Sequence, residues 1–325
     1  MFHLIEPQLG RISGGLRYNH AVIDAADGRI TRHALAGAWP EPSDHDIRQL
    51  KELIAALDGP TLLDGLIGCS LDSPVESQRP IVQLVHALAE TPKAKRREET
   101  CLRAADAVVA TSQYAANTLQ HRYGLDIIVA TPGVQARPLA IGSKGSHFIS
   151  VGGIEPNKNQ RFIAAVLTEL HTKGVTGWHC TFAGPATDSK YAEALQQDLA
   201  ELPAGSTTVA EELDAPALAA LYDSADLLLL PSHTETFGLV VREATAAGIP
   251  AFVTAGTGAE EALGGGTPLE LEPAVWVETL HRWLTDTSYR KQLQQDAKVA
   301  RQQLTYGWQA TADTILEALE SVRLR

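Results

Sequence analysis

The sequence predicts an α/β protein made of two doubly wound units, each with a parallel sheet. Three observations predict it. Short apolar runs alternate along the chain with stretches whose apolar residues recur at i, i+3 and i+4. The alternation restarts after 133–146 (GVQARPLAIGSKGS), a Gly-, Pro- and Ser-containing segment without periodicity that reads as a linker. The chain has 325 residues, too many for one small core and suited to two domains of ordinary size. Strands that alternate with helices pair in parallel, with the helices on both faces of the sheet.

In the first half, strands are expected at Phe2–Ile5, Ile30–Ala34, Thr61–Leu63, Ile81–His86, Ala107–Ala110 and Ile127–Ala130. Residues 44–58 and 93–105 carry helical spacing, and Ser112 is placed to cap a helix over 113–122. In the second half, strands are expected at His147–Val151, Trp178–Ala183, Thr207–Ala210, 226–230 and 250–254. Helices are expected at Asn159–His171, Tyr191–Leu202, 215–222 and 238–247. The tail 273–325 reads as helical, with a break near Tyr306–Gly307. The domains are therefore expected over 1–140 and 141–307.

Composition narrows the function classes. Hydrophobic content of 44% and charged content of 20% are those of a soluble globular chain. A net charge of −12 argues against nucleic acid as a partner. Residues 1–140 hold 14 Lys+Arg and 16 Asp+Glu, a net charge of −2, so most of the net negative charge lies in the second half. The first half is thus the better place for an anionic or membrane-bound partner. Cys69, Cys101 and Cys180 have no metal-ligand spacing and read as free thiols in a reducing cytoplasm. No signal pattern opens the chain and no apolar run is long enough to span a membrane. The basic run Lys93, Lys95, Arg96 and Arg97 leaves peripheral membrane contact open, although Glu98 and Glu99 follow it, as on a solvated helix face.

The most informative stretch is 229–250, LLPSHTETFGLVVREATAAGIP. An apolar strand end runs into a polar loop that opens a helix. A helix start offers unpaired N–H groups and a partial positive charge, which suit a phosphate. Thr236, Phe237, Gly238 and Leu239 would supply those N–H groups, and Gly238 removes a side chain where a ligand must come close. Glu235 and Glu243 flank the junction, Glu243 roughly 7–8 Å along the helix axis from Gly238. Carboxylates beside a phosphate are favourable only where they accept from neutral donors such as sugar hydroxyls. The combination describes a nucleotide-sugar site.

With LDAPALAALYDSADLLLLPS before it and GIPAFVTAGTGAEEAL after it, this stretch resembles the E-x7-E signature of retaining glycosyltransferases of the GT-B fold, chiefly family 4. Residues 150–160, SVGGIEPNKNQ, resemble that family's G-R-L-x-P-x-K motif, in which an Arg and a Lys hold the donor diphosphate. Gly152, Ile154, Pro156 and Lys158 match, whereas Gly153 stands where the family has the Arg. Arg17 or Arg11, in the first N-terminal loop, could replace it. Gly14 and Gly15 in PQLGRISGGLRYN resemble the family's phosphate-facing glycine loop, and His86 matches a strand-end His that contacts the transferred sugar. TSQYAANTL (111–119), Pro132 and Gly133 also fit the family pattern and read as structural. Glu260 matches an acidic position of the last motif, where a helix start would favour a carboxylate whatever the function.

The resemblance implies two Rossmann-like domains facing a central cleft, with the last helix, 308–325, returning to the first domain. It implies a retaining, metal-independent hexosyl transfer from a nucleoside-diphosphate sugar, such as a UDP-sugar, to an unidentified acceptor. His86, Lys158 and Glu235 would be the catalytic residues. Gly14, Gly15, Arg17, Gly152, Gly153, Lys158, Glu235, Thr236, Phe237, Gly238, Leu239 and Glu243 would bind the donor. No D-x-D-like dyad, metal ligand set or cofactor is expected. A nucleotide-sugar epimerase or hydrolase of the same fold, or a catalytically weak nucleotide-binding protein, are the alternatives, the last because of Gly153.

Overall fold

The computed structural model describes residues 1–11 and 13–323 and divides the chain into two compact units. Unit 1 comprises Met1–Gly133 with Gly307–Arg325, and unit 2 comprises Val134–Tyr306.

Unit 1 opens with β1 (Phe2–Pro7), α1 (Gly14–Ala25), β2 (Ile30–Leu35), α2 (Asp44–Ala56), β3 (Thr61–Asp64) and α3 (Gly65–Gly68). β4 (Ile81–Val85), α4 (Pro92–Ala104), β5 (Ala107–Ala110), α5 (Gln113–Tyr123) and β6 (Ile128–Val129) follow. The strands pair in parallel in the order β2-β1-β3-β4-β5-β6. The chain thus steps outward from β1 to β2, then returns to the other side of β1. Neighbouring residues of a strand face opposite sides of the sheet, and here both sides are buried. Leu4 and Leu62 enter one apolar cluster with Val22, Val82 and Val109. Ile5 and Leu63 enter another, with Leu50 and Ile54 of α2.

Unit 2 repeats the plan. β7 (His147–Val151), a 3-10 turn (Pro156–Lys158), α6 (Gln160–Thr172), β8 (His179–Ala183), α7 (Ser189–Ala200) and β9 (Thr207–Ala210) come first. Then come α8 (Ala215–Ser224), β10 (Leu227–Leu230), α9 (Leu239–Ala246), β11 (Ala251–Thr254), α10 (Ala259–Ala262) and β12 (Gly266–Leu269). α11 (Pro273–Thr285) and α12 (Thr287–Gln302) complete it. The parallel order is β12-β11-β10-β7-β8-β9, so the winding reverses between β7 and β10. Leu227 and Leu229 face a cluster with Phe148, Phe182, Phe252 and the indoles of Trp276 and Trp283. Leu228 and Leu230 face the cluster under α9, with Val241 and Val253.

The last helix, α13 (Gln309–Arg323), belongs to unit 1, where Ile315, Leu316 and Leu319 complete the cluster around Leu4. Thr311 Oγ1 donates to Thr131 O at 2.7 Å, and Trp308 meets the Tyr18 ring edge-on at 5.4 Å. Residues 324 and 325 of the expected tail lie outside the described residues.

Several expectations need correction. The unit boundary falls at Gly133/Val134, not 140/141, because the expected linker is bonded into unit 2. Ala140 N donates to Ala247 O, Ile141 N and Gly142 N to Asp223 O, and the Asp226 carboxylate accepts from Ser143 and His147. Gly14 and Gly15 are not a loop but the first turn of α1, because Ser13 Oγ accepts from Leu16 N and starts the helix ahead of them. Arg17 accordingly stands on α1 and not in a loop. The helical tail breaks at Asp286 as well as near Gly307, since Asp286 closes α11 and its carboxylate caps α12 through Ser288 N and Tyr289 N. The short elements α3 and β12 had no periodic signal and were not expected.

Leu319→Ala deletes a fully buried side chain from the α13 contact. Urea unfolding is expected to show a loss of about 2–5 kcal/mol, and an unchanged midpoint would place α13 outside the unit 1 core.

Candidate active site

In open α/β sheets, ligands bind outside the carboxyl ends of the strands where the winding reverses. In unit 2 that point lies after β7 and β10, and the polar residues of the sequence motifs converge there.

After β7 the chain makes a tight turn. Gly152 takes φ +147°, a conformation suited to glycine, and its carbonyl packs so closely on Gly184 that a Cβ there would lie 2.0 Å from it. The buried Gln160 holds the turn, its Nε2 donating to Gly153 O at 2.8 Å. The 3-10 turn then presents Lys158. After β10, the loop 231–238 is fastened to this turn by Asn157. His233 N donates to Asn157 O, Thr234 N and Oγ1 donate to Asn157 Oδ1, and Asn157 Nδ2 donates to Thr234 O.

That stitching brings Lys158 Nζ to 2.5 Å from Glu235 Oε1, with side chains 25% and 10% exposed. Ser232 Oγ also donates to Glu235 Oε1, at 2.8 Å. Both contacts fall on one oxygen, and no described residue donates to Oε2. The pair is charge-assisted yet open enough to exchange partners.

Gly238 is the N-cap of α9 in the left-handed region, φ +83°. A Cβ there would meet Val241 and Ala259 at 3.3–3.4 Å. The helix starts at Leu239, so Thr236 and Phe237, expected among its N–H donors, lie ahead of it. Phe237 turns its ring into the core, under the Arg242 guanidinium 5.8 Å away. Burial lowers the Arg242 pKa, an effect opposed by Glu261. Glu243 lies in α9 only 8% exposed, and its Oε2 accepts from the buried Tyr222 OH at 2.9 Å. Glu260 Oε1 accepts from Gly256 N, a local capping role.

Gly153 is more than a missing arginine. A Cβ there would stand 3.1–3.2 Å from Thr187, whose Oγ1 donates to Glu155 Oε2 at 2.7 Å. Thr187 and Glu155 fill the space beside this position.

Unit 1 gathers a second polar group at its own reversal, after β1 and β3. His86 follows β4 directly, one residue past the strand it was expected to end, and is 16% exposed on its side chain. Its Nε2 lies 2.9 Å from Asn19 Oδ1 and 3.6 Å from Asp64 Oδ2, and Asn19 Nδ2 donates to Asp64 Oδ2 at 2.9 Å. Asp64 Oδ1 caps α3 through Leu66 N. Gly15 is required by close approach, since a Cβ would meet the His86 ring at 3.1 Å. Burial lowers the His86 pKa, against Asp64 and Glu6, which raise it. The fully buried Glu6, at the end of β1, accepts from His20 and Arg32 on Oε1, and its Oε2 has no hydrogen-bond partner among the described residues. Arg11 and Arg17 are exposed.

The structure thus brings Gly152, Gly153, Lys158, Glu235, Gly238, Leu239 and Glu243 to the unit 2 reversal, and Gly14, Gly15 and His86 to that of unit 1. Sequence reading missed Asn157, Thr187, Ser232 and Tyr222 around the first group and Glu6, Asn19 and Asp64 around the second. Asp64 and Glu6 had a usable signal, a carboxylate at the end of an apolar strand. Asn19 and Tyr222, on helices, had none.

A family model described as glycosyl transferases group 1 matches residues 135–300, just over half of the chain. The chain belongs to this family. Relatives of the chain include the D-inositol 3-phosphate glycosyltransferases of Paenarthrobacter aurescens and Kineococcus radiotolerans. The first is 28% identical over 79% of this chain and 68% of its own length, the second 25% identical over 91% and 82%. That of Salinispora arenicola is 39% identical over 31% of this chain, a match spanning 23% of the relative. The chain thus spans less than two thirds of the length of some of the curated relatives it matches, 64–65% in two others. Among solved structures, Anabaena HepE in complex with UDP-glucose superposes with a TM-score of 0.79 at 15% identity, covering 98% of this chain and 99% of that one. Sucrose-phosphate synthase from Thermosynechococcus elongatus gives 0.78 at 16% identity, with 98% of both chains covered. These likenesses establish the GT-B fold for this group 1 chain.

Tyr222→Phe keeps the ring, with Arg137 stacked 4.5 Å from its centroid, and removes the hydroxyl that holds Glu243. A stability loss of about 1.5–3 kcal/mol is expected in urea unfolding, and a loss below the measurement error would show that the bond contributes nothing to holding the carboxylate.

Proposed function

We propose that this protein is a retaining glycosyltransferase that moves a hexose from a nucleoside-diphosphate sugar to a hydroxyl acceptor. The observation that carries the reading is the Lys158–Glu235 pair at the unit 2 reversal, beside the Gly238 helix cap and the buried Glu243. The family, the relatives named as glycosyltransferases and the UDP-glucose bound by Anabaena HepE support it.

In this reading the diphosphate lies at the amino end of α9. Lys158 has two further N–H donors beyond the one engaged with Glu235, and these turn to the phosphate oxygens. Glu235 Oε2 accepts from hydroxyls of the donor sugar, and Glu243, oriented by Tyr222, accepts from the ribose. The bond between the anomeric carbon and the phosphate oxygen breaks, and the electron pair leaves with the phosphate. The acceptor oxygen attacks the same face and gives its proton to that phosphate, so no enzyme nucleophile is assigned. Catalysis is then stabilisation of charge as it develops on the leaving group. Lys158 and backbone N–H groups supply the positive charge, and the reading uses no metal. Gly153 removes one of two family cations, which at about 1.5–3 kcal/mol for a charge-assisted bond is a roughly tenfold to hundredfold loss unless another cation compensates.

A cytoplasmic place of action belongs to the same reading, supported by three cysteines that form no disulfide. Among the described residues no helix is long and apolar enough to cross a membrane.

Calorimetry with UDP-glucose, GDP-mannose and the parent diphosphates is the test. Lys158→Ala and Glu243→Ala are each expected to weaken the nucleotide sugar that binds by about ten- to hundredfold. Unchanged affinity in both variants would remove the site assignment, and binding without transfer to any hydroxyl acceptor would leave a nucleotide-binding protein.

A further inference from the structure

The unit 1 cluster fixes something that the family resemblance does not: which nitrogen of His86 carries the proton. Two oxygens face Nε2, Asn19 Oδ1 at 2.9 Å and Asp64 Oδ2 at 3.6 Å. Asn19 cannot reverse its amide, because its Nδ2 donates at 2.9 Å to the same Asp64 oxygen. A carboxylate only accepts, and a flipped amide would set oxygen against oxygen. Asp64 is itself held, with Oδ1 on Leu66 N at the start of α3. The orientation therefore passes from a backbone N–H to Asp64, from Asp64 to Asn19, and from Asn19 to the ring.

We infer that Asp64 and Asn19 are positioning residues that hold neutral His86 as the Nε2–H tautomer, so that its Nδ1 offers a lone pair to a carbohydrate hydroxyl and no N–H to a phosphate. Nδ1 makes no hydrogen bond with any described residue and is not among the buried unpaired atoms. The Gly15 backbone lies against the ring, and Tyr18 meets it edge-on at 5.1 Å, so rotation of the imidazole is restricted. The charged groups that act on it are Asp64 and Glu6, both favouring the imidazolium, while burial favours the neutral ring and prevails. Neutrality matters because a second proton would convert the accepting edge into a donor. The hydroxyl as occupant rests on the glycosyltransferase reading, but the tautomer does not.

The test is a long-range 1H–15N correlation spectrum of the intact protein labelled at histidine, with His86 assigned through His86→Gln. At neutral pH without ligand, His86 is expected to show a protonated Nε2 and an unprotonated Nδ1. Asn19→Ala should give an averaged tautomer pattern, and Asp64→Asn should do the same while moving the His86 titration to lower pH, since a charge that favours the imidazolium is lost. A protonated Nδ1 in the native protein, or an Nε2–H pattern that persists in both variants, would overturn the inference. Should Asn19→Ala fail to fold, the native spectrum and the near-isosteric Asp64→Asn decide. Free glucose or mannose is expected to move the His86 Nδ1 resonance, and an unmoved resonance would reject the hydroxyl contact. The donor site is tested separately, by calorimetry with UDP-glucose and GDP-mannose. If neither they nor their diphosphates bind, the glycosyltransferase reading fails while the spectrum still judges the tautomer.

Discussion

Lys158 and Glu235 form an ion pair across 77 residues of sequence, and the arrangement of unit 2 around its candidate site follows from how they are brought together. A parallel sheet whose winding reverses leaves a crevice at the carboxyl ends of the two strands at the reversal. Here those strands are β7 and β10, and each feeds a short polar loop into the gap. At such a point a lysine and a glutamate cost less to desolvate as a pair than either would cost alone. The pair therefore holds the two loops in register, with Asn157 fastening their backbones beside it. Its electrostatics also suit a ligand that carries both an anion and hydroxyls, because one partner serves each.

The parts of the fold that periodicity controls were legible in the sequence, and those that single side chains control were less so. Apolar runs located the central strands to within a few residues, because a strand buried on both faces is apolar throughout, while β2, largely exposed, was marked by its apolar ends. β12 (Gly266–Leu269) gave no such signal, as only Leu269 of its four residues is buried. The unit boundary was misplaced for a related reason. A Gly- and Ser-containing segment looks like a linker, yet the buried Asp226 carboxylate gathers Ser143 and His147 and folds that segment onto unit 2. Composition reports how freely a segment could move, whereas a buried carboxylate decides whether it does.

Site residues divide the same way. Gly152, Lys158, Gly238 and Glu243 were readable because glycines and charges stand out in strand-end loops. Tyr222 and Asn19 were not, since each sits on a helix like any partly polar residue, and only the fold turns its polar end towards a carboxylate. Gly14 and Gly15 show the opposite error. A glycine pair after a strand suggests a mobile anion-binding loop, but Ser13 caps the helix one residue earlier and makes both of them helical. What Gly15 supplies is the absence of a Cβ beneath the His86 ring.

The two units handle buried charge in different ways, and the difference follows from what surrounds each group. In unit 2 a lysine pairs with Glu235 through one carboxylate oxygen, which leaves the second oxygen to offer. In unit 1, Glu6 is shared by His20 and Arg32, while Asp64 is satisfied by neutral N–H donors of Asn19 and Leu66. A carboxylate satisfied by neutral donors fixes orientation without cancelling its own charge. Asp64 therefore does two things to His86 at once: it draws the proton to Nε2 through Asn19, and it opposes the burial that keeps the ring neutral. Burial prevails because the ring is enclosed by the Gly15 backbone and the Tyr18 ring edge, which provide little hydration for an imidazolium. A small residue at position 15 is thus a condition on the protonation of His86 as much as on its packing.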